Sequence, residues 1–131
     1  HFMRAVGQRF EVVVFTASLG KYADPLLDLL DQHQVVKWRL FRESCVPWEG
    51  SYVKDLTALG RDLSKVVIVD NSPHSYVFQP ENALPIGTFI DDPDDQELLE
   101  CLEVLMGMAE SEDVRENLAP VMARQARFYY G

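Results

Sequence analysis

Three stretches of this 131-residue chain put reactive side chains where a folded sheet would present them. The run Glu11–Phe15 (EVVVF) ends in Thr16-Ala17-Ser18, and the run Lys65–Val69 (KVVIV) ends in Asp70-Asn71-Ser72-Pro73. Between them lies Lys54, within Tyr52-Val53-Lys54-Asp55. A hydroxyl, an ammonium and a carboxylate–amide pair can together make a phosphate and Mg²⁺ site. Thr16 would donate to a phosphoryl oxygen, Lys54 would offset its negative charge, and Asp70 and Asn71 would offer the hard oxygens Mg²⁺ prefers. Phosphoryl transfer is catalysed mostly by positioning and charge stabilisation, which is the work such groups do. Each also has a plain structural reading. Thr16 can serve as a turn or cap hydroxyl, Asp70 to Pro73 as an Asx turn breaking a strand, and Lys54 as a solvated lysine.

Other chemistries fit these residues badly. A cysteine-dependent phosphatase wants an arginine six positions after its nucleophile, and six past Cys45 is Ser51. Cys45 therefore reads as a small buried or half-buried residue. His1, His33 and His74 are isolated, and Cys45 and Cys101 lack zinc-ligand spacing. Neither GxxxxGK[ST] nor GxGxxG occurs. A receiver domain also uses Asp, Thr and Lys around a parallel sheet, but it needs an early acidic pair that this chain lacks.

The elements that would position Thr16, Lys54 and Asp70 are readable from the pattern. Four β-branched or aromatic runs, Glu11–Phe15, Val35–Phe41, Lys65–Val69 and Leu84–Ile90, predict strands. Continuous runs such as VVV and VVIV predict strands covered on both faces, as in a parallel sheet. Residues up to Phe10 read as the tail of a helix. Asp24-Pro25 reads as an N-cap and first helical residue, with Leu26, Leu29 and Leu30 on one face. Asp92-Pro93 repeats that signal before a helix carrying Leu98, Cys101, Leu102 and Leu105 on one stripe. Ser111 is expected to cap a last helix that Pro120 ends or kinks. Between Phe41 and Leu56, Pro47 and Gly50-Ser51 punctuate a hairpin-like excursion. Alternating strands and helices predict an α/β fold: an open, mainly parallel, Rossmann-like sheet flanked by helices, with ligands beyond the carboxyl ends of its strands.

Composition bounds the partners. The chain has 12 basic and 21 acidic residues and a net charge of −9. Residues 1–65 hold nine basic and eight acidic groups, whereas residues 66–131 hold three and thirteen. Eleven acids lie between Asp91 and Glu116, opposed only by Arg115, and read as the solvated face of C-terminal helices. No basic stripe is present to release counterions, so no nucleic-acid partner is expected. The longest apolar runs are four or five residues, so no membrane contact is expected from these residues. Two cysteines make no disulfide scaffold and suggest a reducing compartment.

Several stretches occur in the order of one family. Phe15-Thr16-Ala17-Ser18, KYADPLLDLLD from Lys21, RLFRESC from Arg39, YVKDL from Tyr52, VIVDNSP from Val67 and PENALPIGTFIDD from Pro80 resemble the small C-terminal-domain phosphatases. The Dullard-related, NLI-interacting-factor-like phosphatases are close by. These are protein serine/threonine phosphatases of the haloacid dehalogenase superfamily, and the likeness covers about Phe10 to Val114. It implies a haloacid dehalogenase-like core and a Mg²⁺-dependent reaction through an aspartyl-phosphate. By motif, Thr16, Lys54 and Asp70 take catalytic roles: Thr16 binds phosphate, Lys54 stabilises phosphoryl charge, and Asp70 orients Lys54 and metal-bound water without binding the metal directly. Asn71 takes the place of a direct Mg²⁺ ligand. Leu19 and Tyr22 are similar to residues lining a peptide side-chain pocket, and Arg42 to a phosphopeptide contact. The implied substrate is a phosphorylated disordered tail of the RNA polymerase II C-terminal-domain type, which implies a nuclear location, although membrane-anchored relatives exist.

The family's first motif, DxDx[TV], is missing. No aspartate precedes Asp24, and the only D-x-D triplet, Asp92-Pro93-Asp94, is followed at its fifth position by Gln96. A site without its attacking carboxylate binds anions but cannot run the two-step reaction. Residues 1–131 therefore read as a single phosphatase-like domain missing its first strand and pocket insertion, inactive as given. The alternative is a non-catalytic phosphopeptide- or peptide-binding scaffold on the same fold. Loss of a central strand would also leave a free sheet edge through which the chain self-associates.

Overall fold

The computed structural model describes residues 1–86 and 96–130. The Asp92-Pro93 helix start, the Asp92-Pro93-Asp94 triplet and the far end of the Leu84–Ile90 run lie outside the described residues.

Helix α1 (Phe2–Gly7) leads into strand β1 (Val12–Phe15). Its last residue is glycine, and a Cβ there would come within 2.5 Å of Val35 Cγ1, so a larger residue would have to displace that side chain. Helix α2 (Gly20–Leu30) then crosses over to β2 (Val36–Leu40), which pairs with β1 in parallel. This is a βαβ unit, and the register slips once between Val12 and Val13. Asp31 fixes the return, its two carboxylate oxygens accepting the Val35 and Val36 amides at 2.8 and 2.9 Å.

Two features of α2 correct the sequence reading. The helix starts at Gly20, four residues before Asp24-Pro25, because the Leu19 carbonyl already accepts from the Tyr22 and Ala23 amides. Asp24 is thereby free of capping and pairs with Arg39, which also reaches Asp28, tying α2 to β2. Leu26, Leu29 and Leu30 do not face a core: they are 55%, 69% and 70% exposed, and Ala23 is the buried contact instead.

The hairpin excursion is present as β3 (Val46–Trp48) antiparallel to β4 (Ser51–Val53). Its two-residue turn places both Glu49 and Gly50 at positive φ, the combination that matches strand twist in tight hairpins. Strand β5 (Ile68–Asp70) pairs in parallel with β6 (Ala83–Pro85), joined through 3₁₀ turns at Pro73–Tyr76 and Pro80–Asn82.

The described residues therefore carry an α/β fold whose sheet is in three two-stranded pieces rather than one open sheet. Strand β1 is half-exposed along its length, so the expectation of strands covered on both faces fails there. Strands β1 and β5 face each other across an apolar slot of about 550 Å³, lined by Val12, Val13 and Phe15 on one side and Ile68 and Val69 on the other. Glu11, just before β1, accepts a paired contact from Arg61 at 2.9 Å across one end of this slot. Phe15 and Asp70 also line it.

The core has two parts. Leu84 of β6 packs with Val6 of α1, Cys101, Leu105 and Met108 around helix α3 (Gln96–Gly107), and Val114 and Leu118 of helix α4 (Val114–Tyr130). Leu56, Val66, Ile68, Tyr76 and Ala83 form the second part, under the β4–β5 connection. The predicted α3 stripe is seen: Cys101 and Leu105 are buried, and Leu98 and Leu102 half-buried. Two further expectations are corrected. Asp113, not Ser111, caps α4 by accepting the Arg115 amide, while the Ser111 hydroxyl donates to Asn117. The helix also continues through Pro120, held by the burial of Val114 and Leu118. Glu100, Glu103, Glu110, Glu112 and Glu116 are exposed, as expected of a solvated acidic face.

Candidate functional site

Asp70 ends β5, and its backbone carbonyl accepts the Ile86 amide beyond β6, so its position is fixed by the ladder. Its side chain is buried. Oδ1 accepts the Ser72 amide at 2.9 Å, which is the Asx turn expected of Asp70-Asn71-Ser72-Pro73. Oδ2 accepts from Lys54 Nζ at 2.6 Å, with side-chain exposures of 14% for Lys54 and 9% for Asp70. Lys54 is thus no solvated lysine. It follows β4 directly, and its own amide donates to the Ser75 carbonyl at 2.8 Å.

Thr16 continues β1, its amide donating to the Leu40 carbonyl at 2.9 Å. Its Oγ1 accepts the Ser18 amide at 3.0 Å, the turn role that the residue types allowed. A threonine hydroxyl engaged as acceptor keeps its own proton to donate, so the turn also presents a donor. The 16–18 loop is held from the other side by Arg42, whose Nε donates to the Ala17 carbonyl at 2.8 Å and whose guanidinium lies over the Tyr52 ring. Arg42 is exposed.

Cys45 links the two halves. The buried thiol approaches the Thr16 and Phe41 carbonyls at 3.7 and 3.8 Å. Burial pushes this thiol up, against the opposing charges of Lys54 and Arg42. Cys45 is therefore a packing residue against the Thr16 and Phe41 carbonyls, within the electrostatic reach of Lys54 and Arg42.

The remaining candidates stand apart. Asn71 is exposed at the end of β5, beside Asp70. Leu19 is half-buried at the start of α2, while Tyr22 is 67% exposed with the Lys21 ammonium over its ring. Neither lines the β1–β5 slot.

For Mg²⁺, the donor set is small. Asn71 offers one amide oxygen, whereas both Asp70 oxygens already accept from protein donors. No cluster of three His, Cys, Asp or Glu suited to a metal occurs among the described residues. An octahedral ion needs about six oxygens, so these residues do not make a Mg²⁺ site by themselves.

One cluster was not read from the sequence. Gln79 is buried, and its amide uses both ends: Oε1 accepts the Leu56 amide at 3.0 Å, and Nε2 donates to Asp55 Oδ1 at 2.9 Å. Hydrogen bonds from Thr57, then Gln79, hold the Asp55 carboxyl below the usual carboxylate range. Gln79 and Asp55 are 24 positions apart, so no local signal marks this contact.

Residues 1–115 match the family described as NLI interacting factor-like phosphatase. The chain is 60% identical over 114 residues to a probable C-terminal domain small phosphatase of Dictyostelium discoideum, covering 87% of this chain and 37% of that protein. It is 53% identical over 122 residues to the human carboxy-terminal domain RNA polymerase II polypeptide A small phosphatase 2, covering 93% of this chain and 45% of that one. It is 52% identical over 113 residues to phosphatase Herzog of Drosophila melanogaster, covering 86% and 32% respectively. The chain thus spans less than half the length of these relatives.

Proposed function

The chain belongs to the NLI interacting factor-like phosphatases, and we propose that it supplies the phosphate-binding and charge-stabilising part of a Mg²⁺-dependent protein serine/threonine phosphatase. The reading rests on one observation above the others: the buried Lys54–Asp70 pair at the carboxyl end of β5, beside exposed Asn71. In this reading Thr16 donates to a phosphoryl oxygen and Lys54 offsets the charge that grows on the transferring group. Asp70 holds the ammonium in place. Asn71 would offer one oxygen to Mg²⁺, the remaining ligands having to come from outside these residues. When bound, the ion would shield phosphoryl charge.

The attacking group in this proposal is an aspartate carried by a strand outside the 131 residues, and the slot between β1 and β5 is where such a strand would pair. Its oxygen bonds to phosphorus as the bond to the seryl or threonyl oxygen breaks, and that oxygen takes a proton from water or from an acid outside these residues and leaves as the alcohol. Water then displaces the carboxylate and releases inorganic phosphate. The 131-residue chain alone is inactive in this account. The names of relatives that act on the RNA polymerase II carboxy-terminal domain support a phosphorylated disordered tail as substrate and a nuclear site of action. Arg42, exposed beside the 16–18 loop, is the proposed phosphopeptide contact, and Leu19 and Tyr22 the proposed edge of the side-chain pocket.

A second reading is a non-catalytic phosphopeptide- or peptide-binding scaffold. The two facing strand edges of β1 and β5 favour it, since an extended peptide pairs readily with such edges.

Hydrolysis of p-nitrophenyl phosphate separates the two. The chain is assayed with and without Mg²⁺, beside a longer product of the same gene that includes residues encoded upstream of His1. Mg²⁺-dependent turnover only in the longer product supports the phosphatase. Inactivity of both favours the scaffold, and turnover by the short chain would overturn the mechanism.

A further inference from the structure

The Lys54–Asp70 contact needs an explanation, because Lys54 sits in a short connection between a three-residue strand and a 3₁₀ turn at Leu56–Leu59. Four rotatable bonds would ordinarily let its ammonium wander. The backbone on either side is held by one segment, the 3₁₀ turn at Pro73–Tyr76 and the residues just after it. Ser75 takes the Lys54 amide. Gln79 takes the Leu56 amide, two residues on, and donates to the carboxylate of Asp55 in between. The same segment begins three residues after Asp70, so the strand that carries the carboxylate leads directly into the clamp that orients its partner.

We propose that Gln79 is a positioning residue: by holding the Leu56 N–H with one end of its amide and the Asp55 carboxylate with the other, it aims Lys54 at Asp70 and at any phosphate bound beside it. The geometry is specific to an amide. A carboxylate at this position could accept from Leu56 but would confront Asp55, and an apolar side chain would leave the Leu56 N–H without its acceptor and Asp55 Oδ1 with Thr57 alone. Gln79 is 7% exposed, so water cannot readily replace either bond. The charged and titratable groups on the elements of the clamp are Asp55 on the turn it grips, Lys54 at the end of β4, Asp70 on β5, His74 on the turn at Pro73–Tyr76 and Glu81 on the turn at Pro80–Asn82.

Two readouts on the 131-residue chain test this. The first is the solvent exchange rate of the Lys54 ammonium, followed by ¹H–¹⁵N NMR, and it does not depend on the phosphatase reading. The second is affinity for inorganic phosphate, which does rest on that reading. Gln79→Leu should speed Lys54 ammonium exchange by about five- to tenfold, the factor one net hydrogen bond is worth. It should weaken phosphate by a similar factor. Gln79→Glu should show the same deficits relative to wild type near neutral pH, and both should shrink in mild acid, where a proton shared with Asp55 restores the missing donor. A merely structural role would not give deficits that recover with acid. Unchanged Lys54 exchange in a folded Gln79→Leu or Gln79→Glu variant would overturn the proposal. Accelerated exchange with phosphate affinity insensitive to Lys54 would leave Gln79 as the positioning residue and sink the phosphate site instead. If Gln79→Leu does not fold, the acid-dependent recovery in Gln79→Glu decides alone.

Discussion

Lys54 Nζ lies 2.6 Å from Asp70 Oδ2, and this ion pair ties the end of the β3–β4 hairpin to β5, two pieces of sheet that share no ladder. A buried ion pair is costly to break from one side, because the remaining charge stays in a low-dielectric site without a partner. Lys54→Met or Asp70→Leu should each destabilise the chain by roughly 3–5 kcal/mol, whereas the double variant should cost far less. Urea denaturation of the four proteins checks this. Additive single effects would show that the two side chains are not coupled. Activity measured on Lys54→Met alone would confuse chemistry with folding, since a domain has only about 5–15 kcal/mol in hand.

Acid should weaken the fold. Asp55 is held low by Thr57 and Gln79, Asp62 by the Ser64 amide, Asp113 by Arg115, and Glu11 by Arg61 and then Trp38. Carboxyls lowered in the folded state bind fewer protons there than in the unfolded chain. Their stabilisation is therefore complete above the ordinary carboxyl range of about pH 4, and it is lost as pH falls through the lowered folded values. Stability measured by denaturant should be level in weak acid and drop below about pH 4. A stability that stayed level to about pH 2 would contradict these assignments.

How much of this was legible in the sequence depends on how local each cause is. The β1, β2 and β5 runs, the Glu49-Gly50 hairpin region and the Asp70 turn follow from residue types a few positions apart. The start of α2 was misread because Asp24-Pro25 is a good local cap signal, yet Arg39 from the next strand recruits Asp24 inside the helix. The leucine periodicity of α2 is real, but periodicity says only that a face is apolar, not that anything covers it. Lys54 and Asp70 were each ambiguous alone, and their partnership required a contact across 16 residues. Gln79 had no signal at all, because its role comes from where the 73–82 turns place it.

The facing edges of β1 and β5 should make the chain associate. Unpaired edges with apolar neighbours template further strands unless a charge guards them. Sedimentation velocity should show a weight-average mass rising with concentration, and Val13→Lys, placed in the slot, should suppress that rise. A monomer at every concentration with a sharp thermal transition would contradict the prediction.

Asn71 is exposed, so Asn71→Ala should change stability by no more than about 0.5 kcal/mol. Mg²⁺ alone should bind the 131-residue chain too weakly to raise its thermal midpoint, because one amide oxygen cannot replace the hydration of an octahedral ion. In the longer product, the same substitution should raise the Mg²⁺ concentration needed for half-maximal turnover. Equal Mg²⁺ dependence with and without Asn71 would remove it from the site.

The central claim is that Thr16 and Lys54 flank a phosphate site, and titration of the chain with inorganic phosphate by ¹H–¹⁵N NMR addresses it most directly. The account predicts saturable shifts at the Thr16, Ala17, Ser18 and Lys54 amides, abolished in the Lys54→Met, Asp70→Leu double variant, which removes the charge while sparing the fold. Saturable shifts confined to other residues, or binding that survives in that variant, would contradict it.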